Sequence, residues 1–246
     1  MSRRVAIIAD ANIHLGPDLA RELAAREHDL VLSEPSDGLA DELIAAGANV
    51  EAVTGTADLT QPQTVPTLID AALSRFDRLD AACIRTGRII TGDIFQATVE
   101  DLRELVSLNI ESTFHALQAL LPVLAERGGG QVVIVTSASG DSPTPYAALY
   151  SATRAAANML VKNAALRVAK HGVTLNAIGT NNLDYPGFRA ATGADDPAIR
   201  AKIESRVPIR RLGRTDEVAH FAASLLDGKN MFQTAQFFPL SGGHGV

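Results

Sequence analysis

The alternation of short apolar runs with longer segments of helical periodicity is the feature that most limits the fold of this sequence. The apolar runs are 5–9, 29–33, 49–53, 80–84, 131–136, 173–178 and 236–240. The segments of helical periodicity are 17–26, 38–46, 62–76, 99–127, 147–171 and 215–226. Because the runs show little polar alternation, we expect parallel strands with both faces covered by helices. Right-handed crossovers then predict an α/β fold, a single doubly wound Rossmann-type domain with a seven-stranded parallel sheet.

The composition fits one globular domain and excludes several classes of protein. The sequence is 46% hydrophobic and 20% charged and contains no linker or repeat, so we expect one domain over residues 1–246. A net charge of −6 argues against a nucleic acid or an anionic membrane as partner. A single cysteine, Cys83, excludes an internal disulfide, and the histidines show no metal-ligand spacing. With no apolar run of membrane-spanning length, we expect a soluble cytoplasmic protein without a bound metal.

The junction between the first apolar run and the first helix is where a doubly wound sheet would hold a dinucleotide. A pyrophosphate at this place needs glycines that let the backbone come close to the helix start. Of three such glycines the sequence keeps Gly16, while Asp10 and His14 stand at the other two positions. At about 5 Å and an effective dielectric constant near 20, two like unit charges repel by roughly 3 kcal/mol. The turn therefore predicts that no dinucleotide cofactor is bound.

A second set of polar residues follows the fifth predicted strand. Ser137 leaves the carboxyl end of that strand, where α/β sheets place their ligands, and Tyr150 lies near the start of the next long helix. Arg154 lies four residues after Tyr150 and therefore on the same helix face. A tyrosine has an ordinary pKa of about 10, so it acts as a base near neutral pH only beside a cation that favours phenolate. We therefore expect Ser137, Tyr150 and Arg154 to be catalytic.

The sequence resembles the short-chain dehydrogenase/reductase superfamily in several motifs. Tyr150 follows Ser137 by thirteen residues, and Asn109 and Asp58 match polar positions of that family. The similar segments of the second half are Tyr150 to Asn158, His171-Gly-Val-Thr-Leu-Asn-Ala-Ile, Arg211-Leu-Gly-Arg-Thr-Asp-Glu-Val-Ala, Gln233-Thr-Ala-Gln and Ser241-Gly-Gly. The resemblance covers essentially the whole chain and implies the same Rossmann-type fold.

The departures from the patterns of that family lie where its cofactor would be. The glycine-rich turn T-G-x-x-x-G-x-G is here Ala9-Asp-Ala-Asn-Ile-His-Leu-Gly16, and N-N-A-G is Ile84-Arg-Thr-Gly87. The motif Tyr-x-x-x-Lys ends in Arg154, and Thr180-Asn181 replaces a Pro-Gly pair. An arginine cannot relay a proton as the lysine of the family does, although it can hold a phenolate.

This set of losses is similar to one branch of the superfamily, the halohydrin dehalogenases, which use a Ser–Tyr–Arg triad and no nicotinamide cofactor. The resemblance implies a lyase that converts vicinal halo-alcohols to epoxides plus halide, and that opens epoxides with azide, cyanide or nitrite. Ser137 would hold the substrate oxygen, and Tyr150 would remove its proton. The halide site would comprise His14, Thr180, Asn181, Asn182 and Leu183. The substrate pocket would comprise Ile84, Thr86, Ala138, Tyr185 and Phe188.

The sequence leaves two other functions open and also predicts an oligomer. An NAD(P)-dependent short-chain oxidoreductase with a divergent cofactor turn is disfavoured by the missing glycines, and a non-catalytic scaffold is disfavoured by the triad. The predicted helix 147–171 is apolar on nearly every face, which is more than one sheet face covers. Because the family is commonly tetrameric, we expect a homotetramer that pairs through the helices 99–127 and 147–171.

Overall fold

Seven parallel strands form the central sheet of the computed structural model, which describes residues 3–244. These strands are β1 (Arg4–Ile8), β2 (His28–Ser33), β3 (Val50–Val53), β4 (Ala81–Arg85), β5 (Gly130–Ser137), β6 (Val173–Thr180) and β9 (Phe237–Leu240). Two short strands, β7 (Leu183–Asp184) and β8 (Gly213–Arg214), pair with each other. The order in the sheet is β3-β2-β1-β4-β5-β6-β9. The predicted single doubly wound Rossmann-type domain with a seven-stranded parallel sheet is therefore confirmed.

Helices cover both faces of the sheet. They are α1 (Gly16–Ala25), α2 (Leu39–Ala45), α3 (Thr64–Phe76), α4 (Val99–Val106), α5 (Ser112–Glu126), α6 (Ala148–Val168), α7 (Pro186–Thr192), α8 (Pro197–Glu204) and α9 (Thr215–Leu226). The first face packs against α3, α5 and α6, and the second against α1, α2 and α9. No helix within residues 3–244 is long and apolar enough to cross a membrane. The predicted domain limits, 1 and 246, lie outside the described residues, so that extent stays a prediction.

The predicted helix 99–127 is not continuous, which corrects that expectation. It begins at a capping box in which Thr98 Oγ1 accepts from the Asp101 N–H and the Asp101 carboxylate accepts from the Thr98 N–H. Five residues of π-helix, Ser107–Glu111, then separate α4 from α5. Such a π turn shifts the helical register, and π turns are frequent at functional sites. Here the π turn contains Asn109, which is fully buried and donates from Nδ2 to Thr153 Oγ1 of α6 at 2.9 Å.

The carboxyl ends of β1, β4, β5 and β6 lie side by side at one edge of the sheet. The strand order reverses at β1, which lies between β2 and β4, and doubly wound sheets bind ligands beyond the strand ends at such a point. Asp10 follows β1, while Arg85, Ser137 and Thr180 end the other three strands. This carboxyl edge therefore brings together polar residues that are far apart in the sequence.

Candidate active site

Ser137, Tyr150 and Arg154 are all buried at the carboxyl edge. Ser137 Oγ accepts a hydrogen bond from the Ser139 N–H at 3.2 Å and lies 3.5 Å from the Thr180 carbonyl oxygen of the neighbouring strand. Tyr150 lies in the first turn of α6. The guanidinium carbon of Arg154, one turn later, lies 5.1 Å from the centre of the Tyr150 ring. The spacing of four residues thus puts a cation against the phenol, while the catalytic roles stay predictions.

The guanidinium of Arg154 is fixed by the loop after β4. Its Nη1 donates to Thr86 Oγ1 at 3.4 Å, and Thr113 Oγ1 lies 3.1 Å from the same oxygen. Gly87 has a φ of 75°, and a Cβ there would collide with the guanidinium, so glycine allows this close approach. Burial lowers the pKa of Arg154, and the contact with Tyr150 opposes that change. This geometry lets Arg154 stabilise a negative charge on the Tyr150 oxygen.

In the turn between β1 and α1, two residues that are not glycine adopt a backbone conformation that glycine favours. Asp10 and His14 have φ values of 57° and 58°, in the left-handed region that glycine favours. At Gly16 a Cβ would collide with the Asp10 carbonyl oxygen, so this glycine is needed. The Asp10 carboxylate forms an ion pair with Arg85, with 2.7 Å between Oδ2 and Nη2. Two side chains therefore stand where a glycine-rich turn would leave free space.

The His14 side chain extends from this turn towards the end of β6. Its Nε2 lies 3.4 Å from Thr180 Oγ1, and its ring centre lies 5.0 Å from that of Tyr185 at an interplanar angle of 79°. Burial, together with the positive charges of Arg85 and Arg154, lowers the pKa of His14 to about 3. The ring is therefore uncharged at neutral pH. Burial also raises the pKa of Tyr185, which makes this phenol a poor base.

Some of the remaining residues predicted for the substrate pocket and the halide site lie close together, and others lie in the core. Phe188 lies next to Tyr185, with 6.5 Å between the ring centres. Ile84 is fully buried in the apolar core formed with α3 and α5, which corrects its predicted place in the substrate pocket. Leu183 is likewise buried, in the core on the α1 side. The carbonyl oxygen of Asn182 accepts from the Gly213 N–H at 3.0 Å, which ties this loop to β8.

Three further predicted residues lie next to members of the predicted site. Ala138 is buried directly after Ser137, and Asn181 is half-buried directly after β6. Thr86, predicted in the substrate pocket, is fully buried and binds Arg154.

A cavity beside Tyr150 involves residues that the sequence analysis does not single out. It has a volume of about 220 Å³ and lies between the loop after β4 and the start of α6. Leu105 and Ala147 line it and also pack against Tyr150. The Gly92 N–H donates to the Tyr146 carbonyl oxygen at 2.8 Å, which holds the loop against the segment that precedes α6. The sequence does contain a sign of this cavity. Residues 89–95 include several apolar side chains, although the segment is not predicted to form a helix or a strand.

Metal and thiol chemistry have no support at this site. Among the described residues, no group of three or more His, Cys, Asp and Glu side chains could hold a metal ion. The Cys83 thiol is buried in β4, and burial raises its pKa to about 12. This thiol therefore stays protonated and acts as an apolar core side chain.

Comparisons with known proteins identify the family. A family model described as enoyl-(acyl carrier protein) reductase matches residues 13–244. The 7alpha-hydroxysteroid dehydrogenase of Escherichia coli (strain K12) is 26% identical over 98% of this chain and 93% of that protein. The 3-oxoacyl-[acyl-carrier-protein] reductase of Synechocystis sp. is 29% identical over 99% of this chain and 97% of that protein. A solved 7alpha-hydroxysteroid dehydrogenase, complexed with NADH and 7-oxo glycochenodeoxycholic acid, superposes with a TM-score of 0.87 at 25% identity, over 98% of this chain and 94% of that one.

The chain belongs to the short-chain dehydrogenase/reductase family. The named relatives are dehydrogenases and reductases, so the predicted assignment as a halohydrin dehalogenase and a lyase is wrong. The halide role predicted for His14 and for residues 180–183 depended on that assignment and is withdrawn with it. The same holds for halo-alcohols and epoxides as substrates.

Proposed function

We propose that the chain is an oxidoreductase that interconverts a hydroxyl and a carbonyl group on a small substrate. The observation that carries this proposal is the position of Tyr150, whose ring centre lies 5.1 Å from the buried guanidinium of Arg154, at the edge where β5 places Ser137. Leu105 and Ala147, which pack against Tyr150, also line the cavity of about 220 Å³. The names of the relatives, a hydroxysteroid dehydrogenase and an oxoacyl reductase, support the same chemistry for this chain.

The chain's own residues supply the acid–base part of this reaction. In the oxidising direction, the Tyr150 oxygen takes the proton of the substrate hydroxyl, and in the reducing direction it returns a proton to the carbonyl oxygen. Ser137 donates a hydrogen bond to the same substrate oxygen and stabilises the charge that develops there. Arg154 stabilises the deprotonated Tyr150 but cannot pass on a proton, because its guanidinium stays charged. The proton of Tyr150 therefore exchanges with the substrate or with solvent.

A nicotinamide dinucleotide is the hydride carrier to consider, because the solved hydroxysteroid dehydrogenase contains NADH. The residues of this chain do not fit a dinucleotide in their present positions. The Asp10 carboxylate and the His14 ring stand in the turn where a diphosphate would lie, and His14 reaches across to Thr180. With a pKa of about 3, His14 also offers no positive charge to a diphosphate. No step of the mechanism is therefore routed through a dinucleotide.

The proposal is tested by following NADH and NADPH absorbance with a panel of small ketones, and the reverse reaction with the matching alcohols. At dinucleotide concentrations high enough to overcome weak binding, we expect turnover that is lost in Tyr150→Phe and retained in Tyr146→Phe. Tyr146 is a matched control because it is the same residue type, four positions earlier, and 80% exposed. Turnover that persists in Tyr150→Phe would contradict the proposed role of this residue. No turnover at dinucleotide concentrations that saturate binding would contradict the oxidoreductase assignment.

Assembly into a homotetramer through α4, α5 and α6 is part of the same proposal. An apolar groove of about 440 Å³ runs between α5 and α6 and is lined by Leu117, Leu121 and Leu160 among others. Phe114 and Leu166 on these helices are 44% and 70% exposed. An apolar patch of this kind favours burial against a second copy of the chain. Light scattering that finds a stable 25.9 kDa monomer at micromolar concentration would contradict the tetramer. A cytoplasmic location also stays a prediction.

A further inference from the structure

Three side chains connect the turn after β1 with the ends of β4 and β6. The Asp10 carboxylate pairs with Arg85 at 2.7 Å, and His14 contacts both Thr180 and Tyr185. Asp10, His14 and Arg85 are referred to below as the turn plug. The Asp10–Arg85 pair joins the ends of the neighbouring strands β1 and β4, and His14 reaches past β4 and β5 to the end of β6. A dinucleotide of a doubly wound sheet would lie over these strand ends.

The start of α1 offers a diphosphate little to compensate for the turn plug. The Gly16 N–H already donates to the Ile13 carbonyl oxygen at 3.0 Å, and Pro17 has no N–H. The next residue, Asp18, adds a second carboxylate, which accepts from Thr215 Oγ1 at 2.6 Å. A diphosphate at this helix start would therefore meet two carboxylates, and the two arginines that contact them, Arg85 and Arg21, are already paired.

We infer that the turn plug closes the cofactor cleft, so that the chain binds NADH and NADPH weakly unless Asp10 and His14 are moved or replaced. The inference rests on the proposed function for its choice of ligand. It concerns binding alone and can therefore be tested without turnover. The closure comes from side chains, since the backbone of the turn keeps the conformation that two glycines would adopt.

The test is a calorimetric titration of the full-length protein with NADH and with NADPH. The proteins are the wild type, Asp10→Asn, the double variant Asp10→Gly/His14→Gly, and Glu27→Gly as the control. Glycine suits the left-handed φ at residues 10 and 14, so the double variant should fold, and Asp10→Asn keeps the shape while it removes the charge. Glu27 has the same type of backbone, with a φ of 60°, and is an exposed acid after the far end of α1.

We expect the double variant to bind at least one dinucleotide about tenfold or more tightly than the wild type, and Asp10→Asn to give a smaller gain. Glu27→Gly should bind like the wild type. Equal affinities for the four proteins, including no measurable binding by any of them, would overturn the inference. A failure of the proposed function gives a different result. In that case the double variant binds the dinucleotide but reduces no ketone, and its binding still supports the inference about the turn plug.

Discussion

Arginine and histidine side chains lie both at the carboxyl edge of the sheet and at the amino edge, where the strands begin, but their polar groups are paired differently. At the amino edge, Arg4 donates from Nε to His28 Nε2 at 3.3 Å and from Nη2 to the Asp80 carbonyl oxygen at 3.4 Å. Arg4 also donates to the side chain of Gln131. Because His28 Nε2 accepts, its Nδ1 donates to the Arg26 carbonyl oxygen at 3.0 Å. We refer to Arg4, His28, Asp80 and Gln131 as the amino-edge cluster.

At the carboxyl edge, three of the corresponding side chains each have one nitrogen without a hydrogen-bond partner among the described residues. His14 Nδ1, Arg85 Nε and Arg154 Nε are buried atoms that form no hydrogen bond within the described part of the chain. An unsatisfied buried polar group costs about 1–3 kcal/mol, so a fold that keeps three of them gives up stability at this edge. Arg3 Nε and Thr174 Oγ1, near the amino edge, also form no such hydrogen bond, so the contrast concerns the named groups and not the whole of each edge. We expect the paired groups of the amino-edge cluster to serve stability, and the groups around Tyr150 to serve binding and chemistry.

Tyr150→Phe should have the largest effect, and it should act on activity alone. Loss of the proton-transferring oxygen should lower kcat/KM by about 100-fold to 10,000-fold. Urea unfolding should change by no more than about 1 kcal/mol, because the ring and its contact with Arg154 are kept. A loss of stability that matches the loss of activity would remove the distinction between the two edges.

Asp80→Asn should give the opposite pattern at the amino edge. The Asp80 carboxylate accepts from the Val5 N–H at 2.8 Å and from Arg78 Nη2 at 2.8 Å, and it lies 3.8 Å from Arg4 Nη1. Removing the charge should destabilise the fold by about 2 kcal/mol, measured by urea unfolding. Turnover per folded molecule should not change. Asp37→Asn, at an exposed position before α2, is the control and should leave the free energy of unfolding unchanged.

The sequence predicts the framework well because strand and helix patterns are local. The seven apolar runs match the seven sheet strands within two residues at either end, since a buried parallel strand needs continuous apolar character. The positions of Ser137, Tyr150 and Arg154 follow from the same patterns, because one residue ends a strand and the other two share a helix face.

The features that the sequence does not predict arise from a single inserted or capping residue, or from contacts between residues that are far apart in the sequence. The π turn at Ser107–Glu111 shifts the helical register without interrupting the apolar pattern of 99–127. The helices α7 and α8 begin with proline at the first position, and Asp196 caps the second, but neither is among the predicted helices. The ion pair of Asp10 with Arg85 joins two strand ends, and no local pattern predicts it.

The dependence of stability on pH should reveal the buried His14, and His28 at the amino edge contributes in the same direction because burial lowers its pKa as well. His14 has a pKa of about 3 in the folded chain, against an ordinary value near 6.5, so the unfolded chain binds a proton that the folded chain does not. Stability should therefore be constant above about pH 6.5 and should fall as the pH is lowered towards 3. For His14, the expected loss between pH 6.5 and pH 5 is about 1–2 kcal/mol.

The variant His14→Phe keeps an aromatic ring against Tyr185 and removes the titrating group. Its stability should therefore fall less steeply with decreasing pH, as measured by urea unfolding at pH 7, 6 and 5. His220→Gln is the control, because the His220 side chain is 71% exposed, and its curve should parallel that of the wild type. Parallel curves for wild type and His14→Phe would show that His14 gains its proton as easily as an exposed histidine.

Arg154→Lys should have the smallest effect on activity, and it tests one interaction, that of the guanidinium with Tyr150. The matched variant at the amino edge is Arg4→Lys. Lysine keeps one positive charge but loses the planar guanidinium, which donates to Thr86 and lies 5.1 Å from the centre of the Tyr150 ring. If Arg154 stabilises the deprotonated base, its replacement should lower kcat several-fold and move the acidic limb of the pH–rate profile to higher pH. Arg4→Lys should lower stability and leave the pH–rate profile unchanged, because Arg4 contacts other members of the amino-edge cluster and not Tyr150.

An unchanged rate and profile in Arg154→Lys would show that the guanidinium does not act on Tyr150. A higher rate would show that a proton-relaying lysine serves this site better than a fixed cation, and the unpaired Arg154 Nε would then need another explanation.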